Sequence, residues 1–303
     1  MTQRPVWLKV KAPSQRAAEE MRSVREVLSR HRLTTVCQGA ICPNAAECWG
    51  RRTATFMLLG EVCTRACRFC AVPTGNPAGV VDWEEPERLA AAVEELGLAY
   101  VVLTSVDRDD LADGGAGVFA AAVETIKARH PSTRVEALVP DFSENEDAIA
   151  TVAAAGADVI GHNLETVERL SSELRDRRAG YERSLRVLAQ FKERMPNRVT
   201  KSSLMLGLGE RRDEVLAALQ DLRRAGVDAV TLGQYLQPTP HSAPIARYLP
   251  PEEFDGLAET AKDLGFRFVV SGPLVRSSYH AAELFQTRAP HLAAVSDSES
   301  SCL

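Results

Sequence analysis

No apolar run in the 303-residue chain approaches the length needed to cross a bilayer, and the N-terminus lacks the apolar core of a secretory signal. Positive charge is not in excess either. The formal net charge is -5, which removes the general electrostatic case for nucleic acid. These absences predict a cytoplasmic protein with no membrane and no nucleic-acid partner. No histidine lies between Cys37 and Cys70, and no G-x-G-x-x-G follows the first expected strand. The first absence weakens a zinc site, and the second weakens dinucleotide binding. Composition is otherwise ordinary for a globular chain, with 45% hydrophobic and 25% charged residues. A chain of this length buries a large core without disulfides.

What the chain does have is clustered sulfur. Six of its seven cysteines fall within CQGAICPNAAECWGRRTATFMLLGEVCTRACRFC, residues 37–70. In a reducing compartment, clustered thiols point to metal binding or catalysis rather than to disulfides. Cys63, Cys67 and Cys70 have spacing C-x3-C-x2-C and follow a short apolar run, Thr55 to Leu59. Three thiolates on one short loop can hold three irons of a [4Fe-4S] cube and leave the fourth iron open to a small molecule. The spacing differs from that of bacterial ferredoxins, and zinc normally wants two knuckles or added histidines. Cys37, Cys42 and Cys48 have spacing C-x4-C-x5-C on a loop broken by Pro43-Asn44. By residue type alone that triplet fits either structural zinc or iron.

Elsewhere, helix, glycine and aliphatic strand alternate. Ser14 is placed to cap a helix running to about Arg32. Expected strands lie at Tyr100 to Leu103, Val135 to Val139, Val159-Ile160, Val199 to Leu206, Val230 to Leu232 and Phe268 to Val270. The helices between them end at glycines such as Gly97, Gly156, Gly226 and Gly265. Ser143 and Glu146 have capping-box spacing. The alternation predicts an α/β fold of parallel strands with crossover helices. Continuous aliphatic strands imply burial on both faces. A barrel and a doubly wound sheet both fit. About six strands in the main run, with a seventh near Phe268, point to an incomplete barrel.

CTRACRFC resembles the cysteine loop of the radical S-adenosylmethionine enzymes. With CQGAICPNAAECW before it, the chain is similar to the lipoyl synthase family of that superfamily. The likeness runs through TSVDRDDLADGG (104–115), LVPDF (138–142), HNLETV (162–167), YERSL (181–185), LMLGLGE (204–210), LGQYLQP (232–238) and VRSSY (275–279). It implies a partial (β/α)6 TIM-like barrel at 51–245. An N-terminal extension at 1–50 would carry the first triplet, an extension at 246–290 the RSSY motif, and 291–303 a disordered tail. It implies two [4Fe-4S] clusters and S-adenosylmethionine. One cluster sits on Cys63, Cys67 and Cys70. The other, auxiliary, sits on Cys37, Cys42 and Cys48, with Ser278 as its fourth ligand and Ser277 as the fallback. A hard alkoxide among soft thiolates suits a labile site. The implied reaction inserts two sulfur atoms, taken from the auxiliary cluster, at C6 and C8 of a protein-bound octanoyl-lysine chain. The implied partners are octanoylated lipoyl carrier domains (2-oxoacid dehydrogenase E2 subunits and the glycine-cleavage H protein). An electron donor such as ferredoxin or flavodoxin and a cluster carrier for rebuilding are also implied.

The same resemblance suggests that Asn163 and Glu165 contact S-adenosylmethionine, against the alternative of a loop network. Arg276 would neutralise cluster or substrate charge, or form a surface ion pair. Asp107 to Asp110 would serve the site or order their loop. Glu210 is a site candidate at a strand end, and Lys201 is expected to be solvated. His162 stands out among the histidines by its place beside Asn163. The chain departs from the family at Ser203 and at His241-Ser242-Ala243-Pro244, which leaves local loop shape open.

Overall fold

Ser14 caps the first helix as its position implies, its Oγ accepting from the Ala17 amide at 3.3 Å. The protein was analysed as a computed structural model, which describes residues 4–9, 14–39, 42, 44–279 and 281–285. Pro43, His280, His291, Cys302 and the tail at 291–303 lie outside the described residues. In chain order the helices and strands are α1 (Gln15–Arg30), β1 (Thr34–Thr35), α2 (Val36–Gly39), α3 (Ala45–Gly50), β2 (Thr53–Leu58), α4 (Glu85–Leu96) and β3 (Tyr100–Ser105). There follow α5 (Ala116–Arg129), β4 (Arg134–Leu138), α6 (Glu146–Ala154), β5 (Val159–Gly161), α7 (Glu168–Leu174), α8 (Tyr181–Arg194) and β6 (Val199–Leu206). The last are α9 (Arg212–Arg224), β7 (Ala229–Gln234), α10 (Pro251–Asp263) and β8 (Phe268–Gly272).

One sheet runs β1 to β8 in sequence order. Strands β2 to β8 are parallel, with Thr55 opposite Val102 and Glu136 opposite Val159. The seven parallel strands match the expected count. β1 is the addition, a two-residue antiparallel partner of β2 that no periodicity marks. The sheet does not close, because β8 pairs only with β7 among the described strands. α6 is capped by Asn145, whose Oδ1 accepts from Asp147 and Ala148, and not by Ser143. Ser143 instead takes a left-handed backbone at φ 52°. No described helix is long and apolar enough to cross a membrane.

Strand alternation splits the core. Val101 and Leu103 face the helices in one large cluster, while Tyr100 and Val102 face the barrel interior. A buried ionic layer crosses that interior. Lys201 Nζ contacts both Glu136 oxygens at 2.9 and 3.0 Å, and Tyr100 OH donates to Glu136 at 2.8 Å. Lys201 is therefore buried and paired, not solvated. Each charge here is satisfied, which is the condition under which a buried pair is tolerated.

The chain after β8 fills the open edge. It passes Gly233 so closely that a Cβ there would collide with the Val275 carbonyl. It then reaches β2, and finally plugs the barrel with the 3-10 turn Ala281–Phe285. Ala281 packs on Tyr100 and Val102, and Leu284 on Val159 and Ala229. These contacts put the residues of VRSSY between the first strand and the last.

Candidate active site

Leu59 and Gly60, at φ 67° and 88°, turn the chain sharply out of β2 into the second cysteine loop. The loop closes on itself through Cys63 N to Pro73 O and Gly75 N to Cys63 O, both 2.9 Å. Each of its thiols accepts backbone N–H groups. Arg65 and Asp107 donate to Cys63 Sγ at 3.4 Å, Asp176 to Cys67 Sγ at 3.3 Å and Val72 to Cys70 Sγ at 3.4 Å. Such donors favour thiolates. Burial works the other way and pushes the Cys67 thiol up to about 12.

Arg65 is the hub beneath this loop. It is 5% exposed and reaches Asp107 at 3.2 Å, Asp109 at 2.8 Å and Asp141 at 2.7 Å. Burial opposes its charge, but the hydrogen bonds it donates to Asp141 and Asp109 outweigh that and hold it protonated. Arg108 clamps Asp110 in the same way, at 2.8 Å. Of the four-residue run, Asp109 and Asp110 order the loop. Asp107 also lines a cleft, where burial pushes its carboxyl up to about 6 against the pull of Arg65.

That cleft, about 200 Å³, opens at the C-terminal ends of the parallel strands, where barrel enzymes keep their chemistry. It is lined by Cys63, Cys67 and Cys70, by Asn163 and Glu165, and by apolar Phe69, Val106 and Leu138. Glu165 has a left-handed backbone at φ 71°, costly for a non-glycine residue. Two bonds to β6 enforce it, Glu165 N to Ser203 O at 3.0 Å and Met205 N to Glu165 O at 2.9 Å. Burial raises the Glu165 pKa, while Arg175 and Asn163 oppose the shift.

His162 lines the cleft beside Asn163 and is almost wholly buried, with Nδ1 at 2.8 Å from Val139 O and Nε2 at 2.8 Å from Ser184 Oγ. Burial lowers its pKa to about 4, so it is a neutral structural group. Glu210 does not enter the cleft. It accepts from the Gly207 and Leu208 amides at 2.6 and 2.9 Å and shapes its own loop. The family departures are accommodated. Ser203 donates to Thr231 O at 3.3 Å, and Ala243 N bonds Arg68 O at 2.7 Å.

The first triplet lies on α2 and α3, which pack against β2. Cys37 is in α2, Cys48 is in α3, and Cys42 bridges them through its N–H to Cys37 O at 3.0 Å. The segment is pinned to chain 230 residues later, Asn44 Nδ2 donating to Leu274 O at 2.8 Å. Tyr279 OH donates to Glu47 at 3.0 Å, and Arg51 meets Glu283 at 2.8 Å. Ser278 Oγ accepts from Thr55 Oγ1 at 3.0 Å. Arg276 is held by the carbonyls of Gln234 and Val275 at 3.3 and 2.7 Å. Burial lowers its pKa, and nearby Cys42 opposes the shift.

Three observations bear on whether a cluster fits. Burial first, then repulsion from Cys37 and Cys42, pushes the Cys48 thiol up to about 12. Thiolates crowded this way need a cation to compensate them. The Trp49 indole N–H is buried, and its approach favours the Cys37 thiolate. Finally, no three His, Cys, Asp or Glu side chains among the described residues converge on a single-ion site. Thiolates that each bind a different iron need not converge so tightly. The residues therefore fit a cluster at each triplet.

Sequence reasoning missed Arg65, Thr55 and Arg175. Arg175 lines the cleft beside Glu165. Its Nη1 donates to Ser184 Oγ at 2.8 Å, and its buried Nε has no partner. The only sequence signal for Arg65 was its place inside the second triplet, and Thr55 had none beyond its strand.

Comparison with known proteins is consistent with this geometry. The family profile of the Radical SAM superfamily matches residues 57–222. A protein named lipoyl synthase from Pyrobaculum arsenaticum is 57% identical over 288 residues, 94% of this chain and 96% of that one. Its namesake from Thermus thermophilus is 56% identical over 282 residues, 93% and 86% of the two chains. The one from Deinococcus radiodurans is 54% identical over 289 residues, 95% and 86%. Among solved structures, Streptococcus suis SuiB bound to precursor peptide SuiA aligns with a TM-score of 0.54 at 13% identity, covering 91% of this chain and 60% of that one. The hydrogenase maturase HydG from Carboxydothermus hydrogenoformans aligns with 0.52 at 12%, covering 88% and 77%. At such identities these two speak for the partial-barrel fold alone.

Proposed function

Because the chain belongs to the lipoyl synthase family within the Radical SAM superfamily, we propose that it inserts two sulfur atoms, at C6 and C8, into an octanoyl chain carried on a protein lysine. When bound, S-adenosylmethionine and its [4Fe-4S] cluster supply 5'-deoxyadenosyl radicals, and a second, auxiliary [4Fe-4S] cluster supplies the sulfur. The observation that supports this reading is the pair of thiol triplets before and after β2, together with the 3.0 Å contact of Ser278 with Thr55 of that strand.

The residues divide the work. Cys63, Cys67 and Cys70 hold the cluster that binds S-adenosylmethionine. Asn163 and Glu165 contact that cofactor from the facing wall. Arg175 offers the unpartnered edge of a buried guanidinium to an anionic group in the cleft. Cys37, Cys42, Cys48 and Ser278 hold the auxiliary cluster, and Arg276 offsets charge there. Leu138 lines the cleft and also packs with Tyr100 and Val102 against Ala281. That patch of the interior is apolar and suited to an alkyl chain.

The partners follow from the substrate. They are octanoylated carrier domains, a low-potential electron donor such as ferredoxin or flavodoxin, and a carrier that rebuilds the auxiliary cluster, all in the cytoplasm. Reduced, cluster-loaded protein given S-adenosylmethionine and an octanoyl-lysine peptide is expected to yield 5'-deoxyadenosine and lipoyl peptide. Deoxyadenosine without sulfur in the peptide contradicts the proposal.

A further inference from the structure

Thr55 stands where the two halves of the first site meet. Register explains why. β1 pairs Thr34 with Met57 and Thr35 with Phe56, so the next residue, Val36, would pair with Thr55. The chain turns into α2 at Val36 instead. The Thr55 backbone N–H and, more weakly, its hydroxyl favour the Cys37 thiolate. The Thr55 side chain points away from the face that carries Ala54 and Phe56 into the helix-packed core. It is 5% exposed, and its hydroxyl donates to Ser278 Oγ at 3.0 Å across 223 residues of sequence.

We infer that Thr55 is a positioning residue that sets how firmly Ser278 holds iron, its hydroxyl donating to the serine oxygen opposite Cys37. The inference rests on the auxiliary-cluster reading above. A ligand serine has no proton of its own, so between these two hydroxyl groups the Thr55 side chain must be the donor. Negative charge on the serine oxygen grows as it leaves iron. A donor fixed beside it therefore stabilises the departing oxygen more than the bound one. Thr55 makes the site easier to take apart at its oxygen corner.

The test uses the full chain with Cys63, Cys67 and Cys70 replaced by alanine, so that iron reports on the first triplet alone. Iron release to a chelator is followed by absorbance, with Mössbauer spectra before the challenge. Thr55→Val keeps the β-branched shape and the backbone N–H and removes only the hydroxyl. It is expected to slow iron release about tenfold, the scale of one charge-assisted hydrogen bond, and to change the spectrum of the serine-bound iron. Thr55→Ser restores the hydroxyl and is expected to restore both. Native or faster release in Thr55→Val overturns the inference. So does a slow Thr55→Ser, which would mark a packing role. If the triple-alanine protein binds no iron at the first triplet, the auxiliary-cluster reading falls and the inference with it. If it binds iron normally, a null result for Thr55→Val counts against Thr55 alone.

Discussion

The Cys63–Cys70 loop is fastened by buried charges directly beneath it, whereas the segment from Cys37 to Cys48 is fastened by chain that arrives 230 residues later. On the first side, Arg65 gathers three carboxylates and four amides donate to the sulfurs. On the other, two short helices of four and six residues are tied down by Asn44, Glu47, Arg51 and Thr55, each reaching the C-terminal segment through one or two contacts. Such neutral or exposed contacts contribute about 1 kcal/mol each or less. This contrast in fastening is what the proposed function asks for, a loop that persists on one side and a site that can be opened on the other.

The most severe way to break that contrast is to remove one thiol from each site. Cys67→Ala is expected to lower 5'-deoxyadenosine formation by roughly 10³-fold or more, since the radical chemistry belongs to the bound cofactor. Cys48→Ala is expected to leave deoxyadenosine formation in place and abolish sulfur insertion. Product analysis by mass spectrometry checks both, and equal loss of deoxyadenosine in the two variants would erase the distinction.

Arg65→Ala comes next. It removes the one cation that all three of Asp107, Asp109 and Asp141 share, leaving Asp109 to Arg178 and Asp141 to the more distant Arg183. The expected loss is about 3–5 kcal/mol, read as a fall of about 10 °C in the thermal midpoint. Asn44→Ala, at the other triplet, is expected to cost only about 1 kcal/mol. Similar midpoints for the two variants would contradict the difference in fastening.

The most gradual effect is a pH dependence on the radical side. His162 has a folded pKa of about 4, below the unfolded value of about 6.5. Between those values the unfolded chain takes up a proton that the folded chain refuses. Its contribution is therefore complete above about pH 6.5 and is lost as pH falls toward 4, by up to about 3 kcal/mol. Denaturation midpoints of the native chain and His162→Gln, compared from pH 7 to 4.5, are expected to converge as pH falls. A constant gap would show that His162 does not titrate this way.

Much of this was legible in sequence, for physical reasons that also mark the limit. The seven parallel strands announce themselves because aliphatic runs between glycine-capped helices have few other solutions. β1 does not, since two residues carry no period. The six cysteines stand out by number and spacing. Arg65 does not, because its deepest partner, Asp141, lies 76 residues away. Lys201 looked like a surface lysine until the barrel closed it against Glu136, 65 residues distant. Glu210 sat at a strand end, as site residues do, yet its carboxylate is used up by two amides of its own turn. Ser143 had the spacing of a cap and lost the role to Asn145, which sits directly before the helix. Local chemistry was readable, and partners that only the fold brings together were not.

The central claim is that one site persists while the other is consumed. Its most direct measurement is site-resolved iron accounting during a single turnover, by Mössbauer spectroscopy of iron-57-loaded protein with S-adenosylmethionine and an octanoyl-lysine peptide. The account predicts that the cluster on Cys63, Cys67 and Cys70 keeps about four irons, while the signal from Cys37, Cys42, Cys48 and Ser278 disappears in step with lipoyl formation. Lipoyl peptide formed with both signals intact, or with the loss on the Cys63 side, would contradict it.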